Sequence, residues 1–181
     1  MRQIFIFLAF IICLSPLVHA ERADKDKPTH IEASQMVADE VKQVSIFTGN
    51  VVMTRGTMRA TADKVLLAQD PEGYLYTTLY AAPGQLATVR EKRDGGADLW
   101  VEGYGERIEY NNRNEIIHLF TSANLKRLDG KTVTDDIRGE YISYDSKSEF
   151  YRVHNTAQGK SVPGDGRVRA VIQPRKRTPA P

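Results

Sequence analysis

Gly105-Glu106-Arg107-Ile108-Glu109-Tyr110-Asn111-Asn112-Arg113-Asn114-Glu115-Ile116-Ile117-His118-Leu119 lines up without a gap on Gly139-Glu140-Tyr141-Ile142-Ser143-Tyr144-Asp145-Ser146-Lys147-Ser148-Glu149-Phe150-Tyr151-Arg152-Val153, with five of the 15 positions identical. Each copy reads as a strand with apolar residues at alternate positions, a polar turn and a returning strand, which is a β-hairpin. Weaker copies begin at Ala33, returning through Val44 to Phe47, and at Ala62, returning near Tyr74. A hairpin used about four times decides the fold class, because no single unit buries its apolar face alone. The units are expected to stack into two facing sheets as an elongated, all-β jelly roll or solenoid-like sandwich. Roughly 16 strands shared between two sheets, at about 4.8 Å per strand, give a core on the order of 40 Å long with unpaired strand edges at its two ends.

Turn signals punctuate the chain around these copies at Thr48-Gly49-Asn50, Arg55-Gly56, Asp70-Pro71-Glu72-Gly73, Pro83-Gly84, Asp94-Gly95-Gly96, Asn111-Asn112 and Asp129-Gly130. Between them apolar and polar residues alternate, and no stretch of ten or more residues carries a capped 3.6-residue period, so no helix is expected there. The period of two assigns the faces. Met36/Ala38, Val65/Leu67, Ile108/Tyr110 and Ile142/Tyr144 form an inward row, joined on the returning strands by Phe47, Leu119 and Val153. Their neighbours Ile46, His118 and Arg152 should face water.

Residues 1–20 stand apart. Met1-Arg2-Gln3 is a short basic start, Ile4 to Leu14 is an apolar run, and Val18-His19-Ala20 has the form of a signal-peptidase site. The run falls short of the roughly 20 apolar residues that span a bilayer. Cys13 is the only cysteine, so cleavage after Ala20 would leave a chain without disulfides, thiolate metal sites or a cysteine nucleophile. Residues 21–28 and the basic, Pro-rich tail 159–181 hold too few large apolar side chains to offset the entropy of ordering and are expected to be disordered. The domain is expected over 29–158, a length suited to one core. The formal net charge of +2 gives no electrostatic case for nucleic acid.

Ile31-Glu32-Ala33 leading to Phe47-Thr48-Gly49-Asn50-Val51, then Gly56-Thr57-Met58-Arg59-Ala60-Thr61-Ala62-Asp63-Lys64-Val65, is similar to the pattern of the OstA-like (LptA) family of lipopolysaccharide-export proteins. In the second half the "TGNV" element is degraded to Thr121-Ser122-Ala123-Asn124-Leu125. The resemblance implies a slightly twisted, open β-jelly roll that binds the acyl chains of lipopolysaccharide between its sheets in the periplasm. It further implies head-to-tail joining of copies, an inner-membrane LptC-like protein at the N-terminal edge and an outer-membrane LptD-like protein at the C-terminal edge. No cofactor or metal is implied. An acyl chain exposes methylenes worth roughly 0.8 kcal/mol each, and the residues expected to cover them are Ile31, Phe47, Val65, Leu67, Val89, Ile108, Tyr110, Leu119, Ile142 and Tyr144. Each of these also serves as ordinary core, and sequence alone does not separate a filled core from a trough.

Catalytic readings find little support. His30, His118 and His154 show no metal-ligand spacing. Asp39-Glu40 and Asp135-Asp136 are strand or turn neighbours pointing to opposite faces, and no GxSxG elbow occurs. Trp100 reads as a packed aromatic near a strand end, and the arginines of the tail as solvated, although they are also candidate ligands for lipid phosphates. A secreted carbohydrate-binding sandwich is the competing function and requires outward aromatic platforms. Most strand aromatics are expected on the inward rows, which weighs against it. A β-solenoid hydrolase would need a carboxylate cluster. An inner-membrane-anchored partner of the same family would keep its N-terminal segment uncleaved.

Overall fold

The computed structural model describes Asp24 and residues 27–174. The expected leader with Cys13, and residues 175–181 of the tail, lie outside the described residues. Twelve strands follow in order: β1 (His30–Glu32), β2 (Gln35–Asp39), β3 (Val44–Arg55), β4 (Met58–Gln69), β5 (Leu75–Tyr80), β6 (Ala87–Lys92), β7 (Leu99–Gly105), β8 (Arg107–Asn111), β9 (Ile116–Asp129), β10 (Thr132–Asp145), β11 (Phe150–His154) and β12 (Arg169–Ile172). Every pairing is antiparallel. The four sequence repeats are four hairpins, β2–β3, β4–β5, β8–β9 and β10–β11, laid side by side in one layer.

Register turns the alternation into a continuous surface. Across this repeat layer Met36, Phe47, Val65, Leu79, Ile108, Leu119, Ile142 and Val153 are successive cross-strand partners. A second layer carries the facing ladder of Ile31, Met53, Ala60, Val89, Gly103, Leu125, Ile137 and Ala170. Paired residues in a sheet share a face, so two apolar ladders face each other along the molecule. The two layers share four long strands. The first halves of β3 and β9 lie in the repeat layer and their second halves in the other, while β4 and β10 run the opposite way. Twelve strands thereby supply eight segments to each layer, which is how the expected 16 arise.

The crossings need irregular backbone. In β3 the register shifts between Thr48 and Val51, where Gly49 and Asn50 have φ of 85° and 50°. Only glycine enters that region without strain, and a Cβ on Gly49 would lie 2.6 Å from Ser34 Oγ. The degraded copy makes the same bend with side chains in place, Thr121 at φ 56° and Ser122 at 55°. In β10 the shift falls between Gly139 and Tyr141. Backbone bonds from Ala81 N to Glu106 O (2.9 Å) and from Glu106 N to Thr121 O (3.2 Å) join the crossings. One long side of the sandwich is therefore closed by main chain. The opposite long side is lined by the hairpin turns of both layers, 40–43, 70–74, 112–115 and 146–149 against 56–57, 93–98 and 130–131.

Two observations depart from the expectation that 21–28 and 159–181 are disordered. Within the tail, β12 pairs with β10 through Arg138↔Arg169 to Asp135↔Ile172, and Asn155 Nδ2 donates to Val162 O at 2.7 Å, pinning the intervening loop. This order rests on main-chain hydrogen bonds, since all four β12 residues are exposed, and composition counts only side chains. Near the other end Asp24 is buried, and its carboxylate accepts from Thr57 N at 2.7 Å and from Thr57 Oγ1.

Candidate functional site

The space between the layers holds all ten residues expected to meet lipid. Phe47, Val65, Val89, Ile108, Leu119, Ile142 and Tyr144 belong to the buried core, and Ile31, Leu67 and Tyr110 pack against it from the margin. Sequence reading omitted Met53, Leu79, Ile117, Leu125 and Ile137 from this set, although they are equally buried. All five obey the same period of two; Met53, Leu79, Leu125 and Ile137 lie outside the quoted repeat, whereas Ile117 lies within it, two positions before Leu119 on the same face. Met36, on the inward row, is 56% exposed because the ladder ends there without a covering strand. Near Tyr144 the layers close on one another: the space left among Val89, Glu91, Val101, Ile117, Leu125 and Tyr144 is about 10 Å³, against the several hundred Å³ of a typical ligand pocket. An acyl chain therefore enters only if the layers part.

The outward face differs from expectation in one respect. Tyr76, Tyr80, Phe120 and Tyr141 stand on the outside of the repeat layer and Trp100 and Tyr104 on the outside of the other, opposite in parity to Leu79, Leu119, Ile142, Val101 and Gly103. Most strand aromatics thus point outward, and cations cover several of them there: Arg107 lies 3.9 Å from the Phe120 ring centre and Arg90 4.4 Å from that of Trp100. The aromatic argument against a carbohydrate-binding sandwich consequently fails. His118 is half-buried, with Nδ1 2.6 Å from Tyr141 Oη, and burial holds its pKa below the usual range against the pull of Glu109. Asp39 accepts from Val41 N and Lys42 N in a turn, and Asp136 pairs with Arg138. No cluster of three or more His, Cys, Asp or Glu able to hold a metal occurs among the described residues.

Polar groups gather where the hairpin tips meet. Arg55 ends β3 and is 7% exposed; its Nη2 donates to Tyr110 Oη across the layers at 3.1 Å. Glu91, near the end of β6, is equally buried, and burial pushes its carboxyl up to about 7 despite the opposing field of Arg55. Arg93 binds Glu149 through both Nε (3.1 Å) and Nη2, and Arg127 Nη2 donates to Glu149 O at 2.7 Å. These contacts tie the second layer to the repeat layer along the side that the main chain leaves open. None of these groups was foreseen, although Arg55, Glu91 and Arg127 each follow an inward apolar residue by two positions, after Met53, Val89 and Leu125.

Comparison with known proteins fits this architecture. Residues 30–150, spanning β1 to the start of β11, match the family described as LptA/(LptD N-terminal domain) LPS transport protein. The chain belongs to that family. It is 30% identical over 169 residues to the lipopolysaccharide export system protein LptA of Haemophilus influenzae, covering 93% of this chain and 90% of that one. It is 33% identical over 125 residues to LptA of Escherichia coli K12, spanning 69% of this chain and 63% of the relative. It is 25% identical to LptH of Pseudomonas aeruginosa over 90% of this chain and 89% of the relative. The fold is similar to the crystal structure of that organism's LptH, described as the LptA-homologous periplasmic component of the lipopolysaccharide transport device, with TM-score 0.71, 23% identity, and coverage of 83% and 99%.

Proposed function

We propose that this chain is a periplasmic carrier of lipopolysaccharide that takes the acyl chains between its two layers and hands them from the inner towards the outer membrane. The observation that carries the reading is the pair of facing apolar ladders running the length of a chain that belongs to a lipopolysaccharide-transport family. Burial of acyl methylenes, at roughly 0.8 kcal/mol each, would repay the parting of the layers. Ile31, Phe47, Val65, Leu67, Val89, Ile108, Tyr110, Leu119, Ile142 and Tyr144 are the residues assigned to the chains. The protein binds and passes on its cargo without catalysing a reaction.

The ladders end at strand edges suited to strand addition. Exposed Met36 and Val37 at the β2 end, and Phe150, Val171 and Ile172 at the β11 and β12 end, support docking there. In this reading an LptC-like inner-membrane protein adds to the N-terminal edge and an LptD-like outer-membrane protein to the C-terminal edge. Copies join head to tail between them, an arrangement that does not close on itself.

The test is site-specific photo-crosslinking in intact cells. A photoreactive residue at Phe47, Ile108 or Leu119 is expected to capture lipopolysaccharide, and one at Ile46, Glu109 or His118 is not. At Met36 or Phe150 it is expected to capture a second copy or a membrane partner. Folded, exported protein that captures lipid at no inward position would remove the carrier reading.

A further inference from the structure

We propose that the polar headgroup of the carried lipid emerges on the hairpin-tip side, where Arg55, Arg93 and Arg127 are the ligands of its phosphates and Glu149 occupies their place in the closed molecule. The inference rests on the carrier reading and adds to it the side on which the headgroup lies and the residues that meet its charge.

An amphiphile whose chains lie between the layers must bring its polar part out along one long side. The side where β3, β4, β9 and β10 cross is closed by main chain and by bonds such as Ala81 N to Glu106 O. That leaves the hairpin-tip side. A groove of about 630 Å³ lined by Arg138, Arg167 and Arg169 is the other cationic feature, but Ser122, Ala123, Gly139 and Glu140 place it on the closed side.

Along the open side the second layer presents three guanidiniums towards the repeat layer. The side chains of Arg93 and Arg127 are only 13% and 12% exposed, and buried cations persist only when paired. They share the carboxylate of Glu149, bound by Arg93 and 4.0 Å from Arg127. Donor capacity is left over, since Nε of Arg55 and Nε of Arg127 are buried without an acceptor. Three carboxylates of this region are otherwise engaged or weakly charged: Asp24 accepts from Thr57, Glu115 pairs with Lys147 at 3.3 Å, and burial pushes the Glu91 carboxyl up to about 7.

Glu149 is itself a movable ligand. It closes the short turn 146–149 with φ 52°, and a third of its side chain meets solvent. A phosphate offers more oxygens and more charge than a carboxylate to the planar guanidinium fork. Insertion of chains would part the layers and carry Glu149 away, while the headgroup brings phosphates to the same arginines.

The test compares binding of hexa-acylated lipid A carrying two phosphates with binding of the same lipid stripped of both. The wild-type chain is expected to prefer the phosphorylated form by at least about tenfold. Because Arg93, Arg127 and Glu149 also tie the closed layers together, the readout is the ratio of the two affinities rather than either affinity alone: R93Q with R127Q is expected to reduce the preference to within about twofold, and E149Q to widen it. R152Q, at an exposed position of β11, is the control that should change neither affinity. Equal wild-type binding of the two lipids, or a preference untouched by both variant sets, overturns the inference and leaves the carrier standing. Binding of neither lipid by the wild type overturns the carrier reading and the inference together.

Discussion

Glu91 shows how a single buried carboxyl couples the open side to stability. It faces Arg55, Asp24 and Glu115, and burial raises its pKa from the usual 4.5 to about 7. Between those two values the folded chain holds a proton that the unfolded chain releases, so this group makes stability fall as pH rises from about 4.5 to 7. Below that window its contribution is level, and above it the loss is complete. Glu91→Gln is expected to flatten the dependence and to be more stable than wild type at pH 8 by on the order of 1–3 kcal/mol, with little difference at pH 4. Urea midpoints at the two pH values check this; an unchanged slope between them would show that Glu91 does not titrate in the window. The inward apolar residues were legible because a strand repeats every two positions. Arg55, Glu91 and Arg127 keep the same parity, but a charged side chain on an inward position looks like an outward one until the facing layer is known.

Among the elements, the four hairpins of the repeat layer were readable from their self-similarity, and the second layer was not. The strands β1 and β12 and the hairpin β6–β7 lie outside the repeat and join the sheet only through the crossing strands β3, β10, β4 and β9. The exposed β12 has no apolar pattern to announce it, since its order comes from pairing with β10. The crossings themselves were visible in one copy and masked in the other. Gly49-Asn50 signals a bend, whereas Thr121-Ser122 makes the same bend with residues that rarely take positive φ. Gly49→Ala is therefore expected to destabilise by about 1–3 kcal/mol, from φ and from contact with Ser34. Thr121→Gly is expected to stabilise by up to about 1 kcal/mol through relief of the same strain. Thermal or urea denaturation of both variants reads the two signs; a Thr121→Gly variant less stable than wild type would mean that its side chain contributes more than its backbone loses.

At the scale of the whole molecule, one side sealed by main chain and one side held by side-chain contacts make the sandwich a hinged pair of layers. Arg55–Tyr110, Arg93–Glu149 and Arg127–Glu149 are the ties across the opening side, and the apolar ladders within are closed to about 10 Å³ near Tyr144. The central claim is that lipid occupies the space between the layers and separates them. Spin labels at Lys131 and Ser148, exposed positions on the turns of opposite layers, in a chain whose only cysteine, Cys13, has been replaced by serine, measure that separation directly. The distance between them is expected to lengthen by several ångströms when lipopolysaccharide is added. Saturating, folded protein that binds lipopolysaccharide with the label distance unchanged would contradict the account and place the lipid on the outer surface.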